Sequence, residues 1–116
     1  MSTILVVDDR AINREALSLL LNEHEYEVLE AEDGLQATEL VQNNKIDLII
    51  TDILMPKMDG ITFIKRLKEN LSLASIPVIF YTATYNAAEA HRLANASNVN
   101  YVLTKSLFYM QFSSQC

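Results

Sequence analysis

Residues 47–60 read DLIITDILMPKMDG, and the fold turns on them. The first five, Asp47 to Thr51, form a short, nearly continuous Leu/Ile run, as expected of a parallel strand covered on both faces. Asp52 stands at the end of that run. Beyond the loop that follows, Ile64, Leu67 and Leu71 recur at helical spacing and are expected to share one face. The stretch therefore encodes strand, loop and helix, with a carboxylate at the carboxyl end of the strand.

The same unit repeats in both directions. Apolar runs rich in Val and Ile occur at Thr3 to Val7, Val78 to Thr82 and Val99 to Leu103. A further run, Tyr26 to Ala31, carries Glu27 and Glu30 and reads as an edge strand kept from mispairing by charge. Helical patterns lie between the runs. Ile12, Ala16, Leu19 and Leu20 are expected to share one face, Ala37, Leu40 and Val41 another, and Asn86 to Ala96 forms an Ala-rich helix. Strand and helix alternate throughout, which predicts a doubly wound α/β fold: a five-stranded parallel sheet with helices on both faces. In such folds chemistry gathers outside the carboxyl ends of the strands.

Composition narrows the function classes. A chain of 116 residues is one domain by size, and folding at this length buries roughly 65% of the unfolded surface. Half of the residues are apolar and 21% are charged, which argues against disorder. No apolar run approaches the roughly 20 residues of a membrane span, and no basic region precedes the first apolar residues. The net charge of −6 disfavours direct binding to nucleic acid. Cys116 is the only cysteine, which excludes an internal disulfide and a cysteine-based zinc site and fits a reducing, cytoplasmic setting.

The polar residues at the strand ends form a set. The first strand ends in Asp8-Asp9, the third in Asp52, the fourth in Thr82 and the fifth in Thr104-Lys105. Crowded carboxylates repel one another, and a hard cation such as Mg²⁺ resolves the repulsion by taking carboxylates, waters and phosphate oxygens as ligands. A lysine adds a point charge for a phosphoryl oxygen, a threonine adds a hydroxyl, and an aspartate can itself become the phosphorylated nucleophile. Read one at a time, the Asp8-Asp9 pair is a solvated turn, Thr82 a β-branched strand residue and Lys105 a surface lysine. His24 and His91 fall at no strand end, and Met55 and Met58 read as loop packing.

Together, the acidic pair in ILVVDDRAINRE, the aspartate in DLIITDILMPKMDG, the Thr-Ala pair in VIFYTAT and the lysine in YVLTKS resemble the receiver (response-regulator) domains of two-component signalling. The resemblance runs in unbroken order from Thr3 to about Lys105 and implies a flavodoxin-like sheet of strand order 2-1-3-4-5. By position it implies Asp52 as the phospho-acceptor and Asp9, Asp52 and the backbone carbonyl of Leu54 as direct Mg²⁺ ligands, with Asp8 acting through water. Thr82 is similar to the family's switch hydroxyl and Lys105 to the lysine that contacts the phosphoryl group. Pro56 and Gly60 would shape the loop after Asp52, and Asp59 suits the N-cap of the next helix.

The implied donor is a histidine kinase or histidine phosphotransfer protein. The implied receivers of the signal are an output domain or protein, or a second copy of the chain. Such a chain is a signalling domain that assists its own phosphorylation and dephosphorylation, not a metabolic enzyme. The competing reading is a pseudo-receiver, an interaction module that is not phosphorylated. A Mg²⁺-dependent phosphatase would need a second carboxylate two residues after the nucleophile, where this chain has Leu54. Two positions and the last segment depart from the family pattern. Ser106 stands where proline follows the lysine, Val102 where the switch aromatic stands, and residues 106–116 carry no charge and predict a short, atypical last helix.

Overall fold

Five strands and four helices alternate in the computed structural model, which describes residues 1–82, 87–96, 99 and 101–104, with 82, 87, 89–91, 93 and 104 described by backbone alone. They are β1 (Thr3–Val7), α1 (Ala11–Glu23), β2 (Glu27–Ala31), α2 (Gly34–Asn43), β3 (Leu48–Thr51), α3 (Gly60–Glu69), β4 (Val78–Thr82), α4 (Ala87–Ala96) and β5 (Tyr101–Thr104). All neighbouring strands are parallel and the order is β2-β1-β3-β4-β5, the doubly wound arrangement expected. No described helix is long and apolar enough to cross a membrane.

Side chains alternate between the two faces of the sheet, as the period of two requires. Leu5, Val7, Ile49, Val78 and Phe80 face one layer, where Ala37 and Val41 of α2 and Phe63, Ile64 and Leu67 of α3 cover them. Ile4, Val6, Ile50 and Tyr81 face the other, where Leu17 and Leu21 of α1 pack. The charged run forms the edge: β2 is terminal in the sheet, with Glu27 and Glu30 exposed, and Glu30 pairs with Arg14 Nε at 3.1 Å.

Three expectations are corrected. In α1 the core face is Leu17 and Leu21, whereas Ile12 is 82% and Leu19 62% exposed. Ala16 is also exposed and Leu20 only half-buried. Leu17 and Leu21 pack with Ile4, Val6, Ile50 and Tyr81, and polar contacts beside them support the same rotation. Arg14 reaches both Glu30 and, through Nη1 at 2.8 Å, the carbonyl of Asp8, which turns its side of α1 toward β1 and β2. Leu71 does not join Ile64 and Leu67, because α3 stops at Glu69 and Leu71 is 93% exposed in the turn beyond. There Asn70 Oδ1 accepts from the Ser72 amide at 3.0 Å and its hydroxyl at 2.7 Å, and Leu73 and Ile76 reach the core instead. The fifth strand spans Tyr101–Thr104 rather than Val99 to Leu103, since the Val99 amide donates to the Ala94 carbonyl at the end of α4 (2.8 Å). The short last helix expected over 106–116 lies outside the described residues.

Candidate functional site

Asp8 and Asp9 follow β1 directly and Asp52 follows β3, its neighbour in the sheet. The strand ladders hold them. The Asp8 amide donates to the Ala31 carbonyl at 3.1 Å and the Asp52 amide to the Val7 carbonyl at 2.9 Å, so each backbone extends a β pairing by one step. Asp8 is 1% and Asp52 5% exposed, while Asp9 is open to solvent. One carboxylate oxygen from each of the three lies within 4.8 Å of the others.

Local hydrogen bonds fix two of the three side chains. Asp8 Oδ1 accepts from the Arg10 amide at 2.9 Å, an Asx turn that launches α1. Asp52 Oδ1 accepts from the Ile53 amide at 2.7 Å, and the Thr51 hydroxyl donates to the Asp52 carbonyl at 2.9 Å. An ionised carboxylate offers about four lone-pair sites, so these bonds orient the groups and leave acceptor capacity for a ligand. Three hard oxygen donors with two of them buried suit Mg²⁺ or a similar hard cation, so the residues present fit that ion.

The loop from Ile53 to Asp59 leads from Asp52 into α3. Leu54 is 47% exposed two residues past Asp52. Met55 and Met58 pack against the core, as expected of loop packing. Asp59 caps α3, its Oδ1 accepting from the Thr62 amide at 2.7 Å. Gly60 donates to the Ile53 carbonyl at 2.8 Å and sits so close to the backbone that a Cβ there would run into the Asp52 carbonyl oxygen.

Thr82 is the last residue of β4, paired in register with Thr104 of β5. The side chain of Thr82, and Lys105 and Ser106 as a whole, lie outside the described residues. His24 is exposed at the end of α1, away from the strand ends, and the side chain of His91 is outside the described set. Val102, at the position of the family's switch aromatic, packs against the core, and Tyr101 one residue earlier is 65% exposed. Sequence reasoning missed Arg14, which holds the Asp8 carbonyl, and the Asp33-Gly34 pair, which abuts the Asp52 loop at Met58. The pair does read as an N-cap ahead of an apolar helix, but its contact across 24 residues has no local signal.

The response regulator receiver domain family matches residues 4–110. Histidine kinase P4 of Formosa agariphila is 42% identical over 82 residues, 71% of this chain and 6% of its own. The phosphate regulon transcriptional regulatory protein of Pseudomonas aeruginosa is 42% identical over 81 residues, 70% of this chain and 35% of its own. The chain thus spans about a third or less of these curated relatives. A chemotaxis response regulator of Vibrio cholerae superposes with a TM-score of 0.84 at 30% identity, covering 90% of this chain and 87% of that one. Sheet order, the placement of the acidic residues and a match along nearly the whole sequence agree, and the chain belongs to the response regulator receiver domains of two-component systems.

Proposed function

We propose that this signalling domain accepts a phosphoryl group on Asp52 from the phosphohistidine of a histidine kinase or histidine phosphotransfer protein. The observation that supports the reading is the convergence of the Asp8, Asp9 and Asp52 carboxylates within 4.8 Å at adjacent strand ends. Asp9, Asp52 and the Leu54 carbonyl would hold Mg²⁺ directly and Asp8 through water, and that ion supplies charge neutralisation for the phosphoryl oxygens.

The chain's own residues do the rest. The Ile53 amide fixes the rotation of the Asp52 carboxylate, so an oxygen can approach phosphorus in line. The P–O bond to Asp52 forms as the P–N bond to histidine breaks, and the imidazole leaves with the bonding pair and takes up a proton. Lys105 would meet a phosphoryl oxygen as a point charge and Thr82 would donate its hydroxyl. Drawing those two inward biases the surface around α4, β4 and β5 toward an output domain, an output protein or a second copy of the chain. A coupling on the order of 1–3 kcal/mol changes such an affinity roughly 5–150-fold. The net charge of −6 leaves direct nucleic-acid binding to any attached partner, and a kinase-fed relay operates in the cytoplasm.

Intact mass tests this. With Mg²⁺ and acetyl phosphate the protein should gain one alkali-labile phosphoryl group, and Asp52→Asn should gain none. Equal labelling of the Asn variant would remove Asp52 from the role. No labelling of the wild type by acetyl phosphate or a phosphohistidine donor would favour the pseudo-receiver.

A further inference from the structure

The start of α2 bears directly on the loop that follows Asp52. The Gly34 amide donates to the Met58 carbonyl at 3.0 Å. A Cβ on Gly34 would stand 2.7 Å from Met58 Cγ, 2.7 Å from its carbonyl oxygen and 2.8 Å from its Cβ. Two of those three atoms are the carbonyl oxygen and the Cβ held by the Met58 Cα, so no rotation of the Met58 side chain makes room. Beside them, the buried Asp33 carboxylate caps α2 through the Gln36 amide at 2.9 Å and faces Lys57 Nζ at 3.8 Å. Lys57 has φ +64° at the centre of a three-residue turn closed by the Met58 amide on the Pro56 carbonyl at 2.7 Å. Non-glycine residues adopt that backbone only where the surroundings impose it. At its far end the loop is tied by Gly60 to Ile53.

We infer that Gly34 and Asp33 are positioning residues for the cation site: the first turn of α2 is a fixed stop against which Met58 is seated, and this holds the Leu54 and Asp52 end of the loop in register with Asp8 and Asp9. The inference rests on reading those carboxylates as a Mg²⁺ site. Outer contacts of this kind typically change metal affinity roughly 10–100-fold when broken. By reciprocity, cation binding at Asp52 must bias the Gly34–Met58 contact by the same free energy.

The test titrates Mg²⁺ alone into the wild type, Gly34→Ala and Val41→Ala, following backbone amides by NMR and thermal midpoints alongside. Val41 is buried on α2 seven residues beyond Gly34, so its truncation costs stability and leaves the helix start that meets Met58 unchanged. Gly34→Ala should weaken Mg²⁺ about tenfold, at the low end for outer contacts, while Val41→Ala stays within about twofold of wild type. In the wild type itself, which needs no variant to fold, the Gly34 amide should shift on saturation with Mg²⁺ and the Gln42 amide should not. Unchanged affinity in Gly34→Ala, or an unmoved Gly34 amide in a wild type that binds Mg²⁺, overturns the inference alone. A wild type that binds no Mg²⁺ overturns the cation-site reading and the inference with it.

Discussion

Replacing Asp9 with Asn should raise the stability of the metal-free protein and lower it when Mg²⁺ is present. The magnitude follows from the spacing of the carboxylates. Two unit charges 4.8 Å apart repel by about 0.9 kcal/mol in the dielectric of water and about 3.5 kcal/mol at an effective value of 20. Asp9 is exposed, so the lower figure applies, and its removal relieves two such pairs, about 1.7 kcal/mol in all. Against this, a negative charge just ahead of α1 gains about 0.5 kcal/mol from the helix dipole, leaving a net gain of about 1 kcal/mol. For a domain of this length that raises Tm by about 4 °C.

Mg²⁺ reverses the order. Binding to the native state alone adds about 2.7 kcal/mol to the wild type at a hundredfold excess over Kd, and the variant, lacking a direct ligand, gains far less. Thermal unfolding in chelator and in Mg²⁺, each at low and high NaCl, reads both effects. Near 1 M salt the screening length falls to about 3 Å, so the metal-free advantage of the variant should shrink. If Asp9→Asn were less stable than wild type in chelator at low salt, or if Mg²⁺ raised both Tm values equally, the three carboxylates would not be acting as one crowded site.

Gly60→Ala should lose about 3 kcal/mol, the upper part of the overpacking range, because the added Cβ meets the backbone of Asp52 and Ile53 rather than a movable side chain. Urea titration should show the midpoint falling by roughly 2 M, and a fall under about 0.3 M would mean that the α3 junction yields freely. Glu25 sits at φ +68° just past α1, where the Glu25 and Tyr26 amides close the helix onto Asn22 and Leu21, so Glu25→Gly should gain about 0.5 kcal/mol after the entropy of the added glycine is subtracted. A lower Tm for that variant would show that the left-handed backbone carries no strain. Leu54→Asn should shorten the lifetime of phosphorylated Asp52 about fivefold, the rate equivalent of one hydrogen bond of about 1 kcal/mol to the attacking water. Leu19→Asn, the same change at an exposed site on α1, should not alter that lifetime, and equal lifetimes in the two variants would remove Leu54 from control of water.

The sheet was legible because its strands are short Val/Ile runs with no competing period, and because Glu27 and Glu30 mark the one that must lie at an edge. The acidic cluster was legible for a related reason. In the strand order 2-1-3-4-5 that the family resemblance implies, residues just past β1 and β3 are neighbours, which brings Asp8, Asp9 and Asp52 together. The face of α1 was not. Leu17, Leu19, Leu20 and Leu21 crowd one turn, so periodicity permits more than one rotation, and the choice falls to the packing of Leu17 and Leu21 on the sheet, supported by Arg14 contacts to Glu30 on β2 and to the Asp8 carbonyl just past β1. Leu71 misled because helical spacing continues in the sequence past the point where Asn70 turns the chain. The contact of Gly34 with Met58 was invisible for want of any pairing rule between a helix start and a loop 24 residues away.

The backbone keeps the three carboxylates close together. Asp8 and Asp52 could reduce their mutual repulsion by moving apart, but each amide is committed to a ladder bond on the neighbouring strand. Breaking either would leave a buried backbone group unpaired, at a cost of about 1–3 kcal/mol, comparable with the repulsion it would relieve. Nor can the loop carry Asp52 away, since Gly60 and Gly34 bring backbone and Met58 against it from both ends. An ion that binds there therefore meets carboxylate oxygens already held together. A cation binds more tightly to carboxylates that cannot relax than to the same groups on a mobile loop, because no order has to be imposed on binding. The backbone that holds these carboxylates close is thus a source of affinity, and substitutions that remove one of the charges should raise metal-free stability and weaken cation binding together.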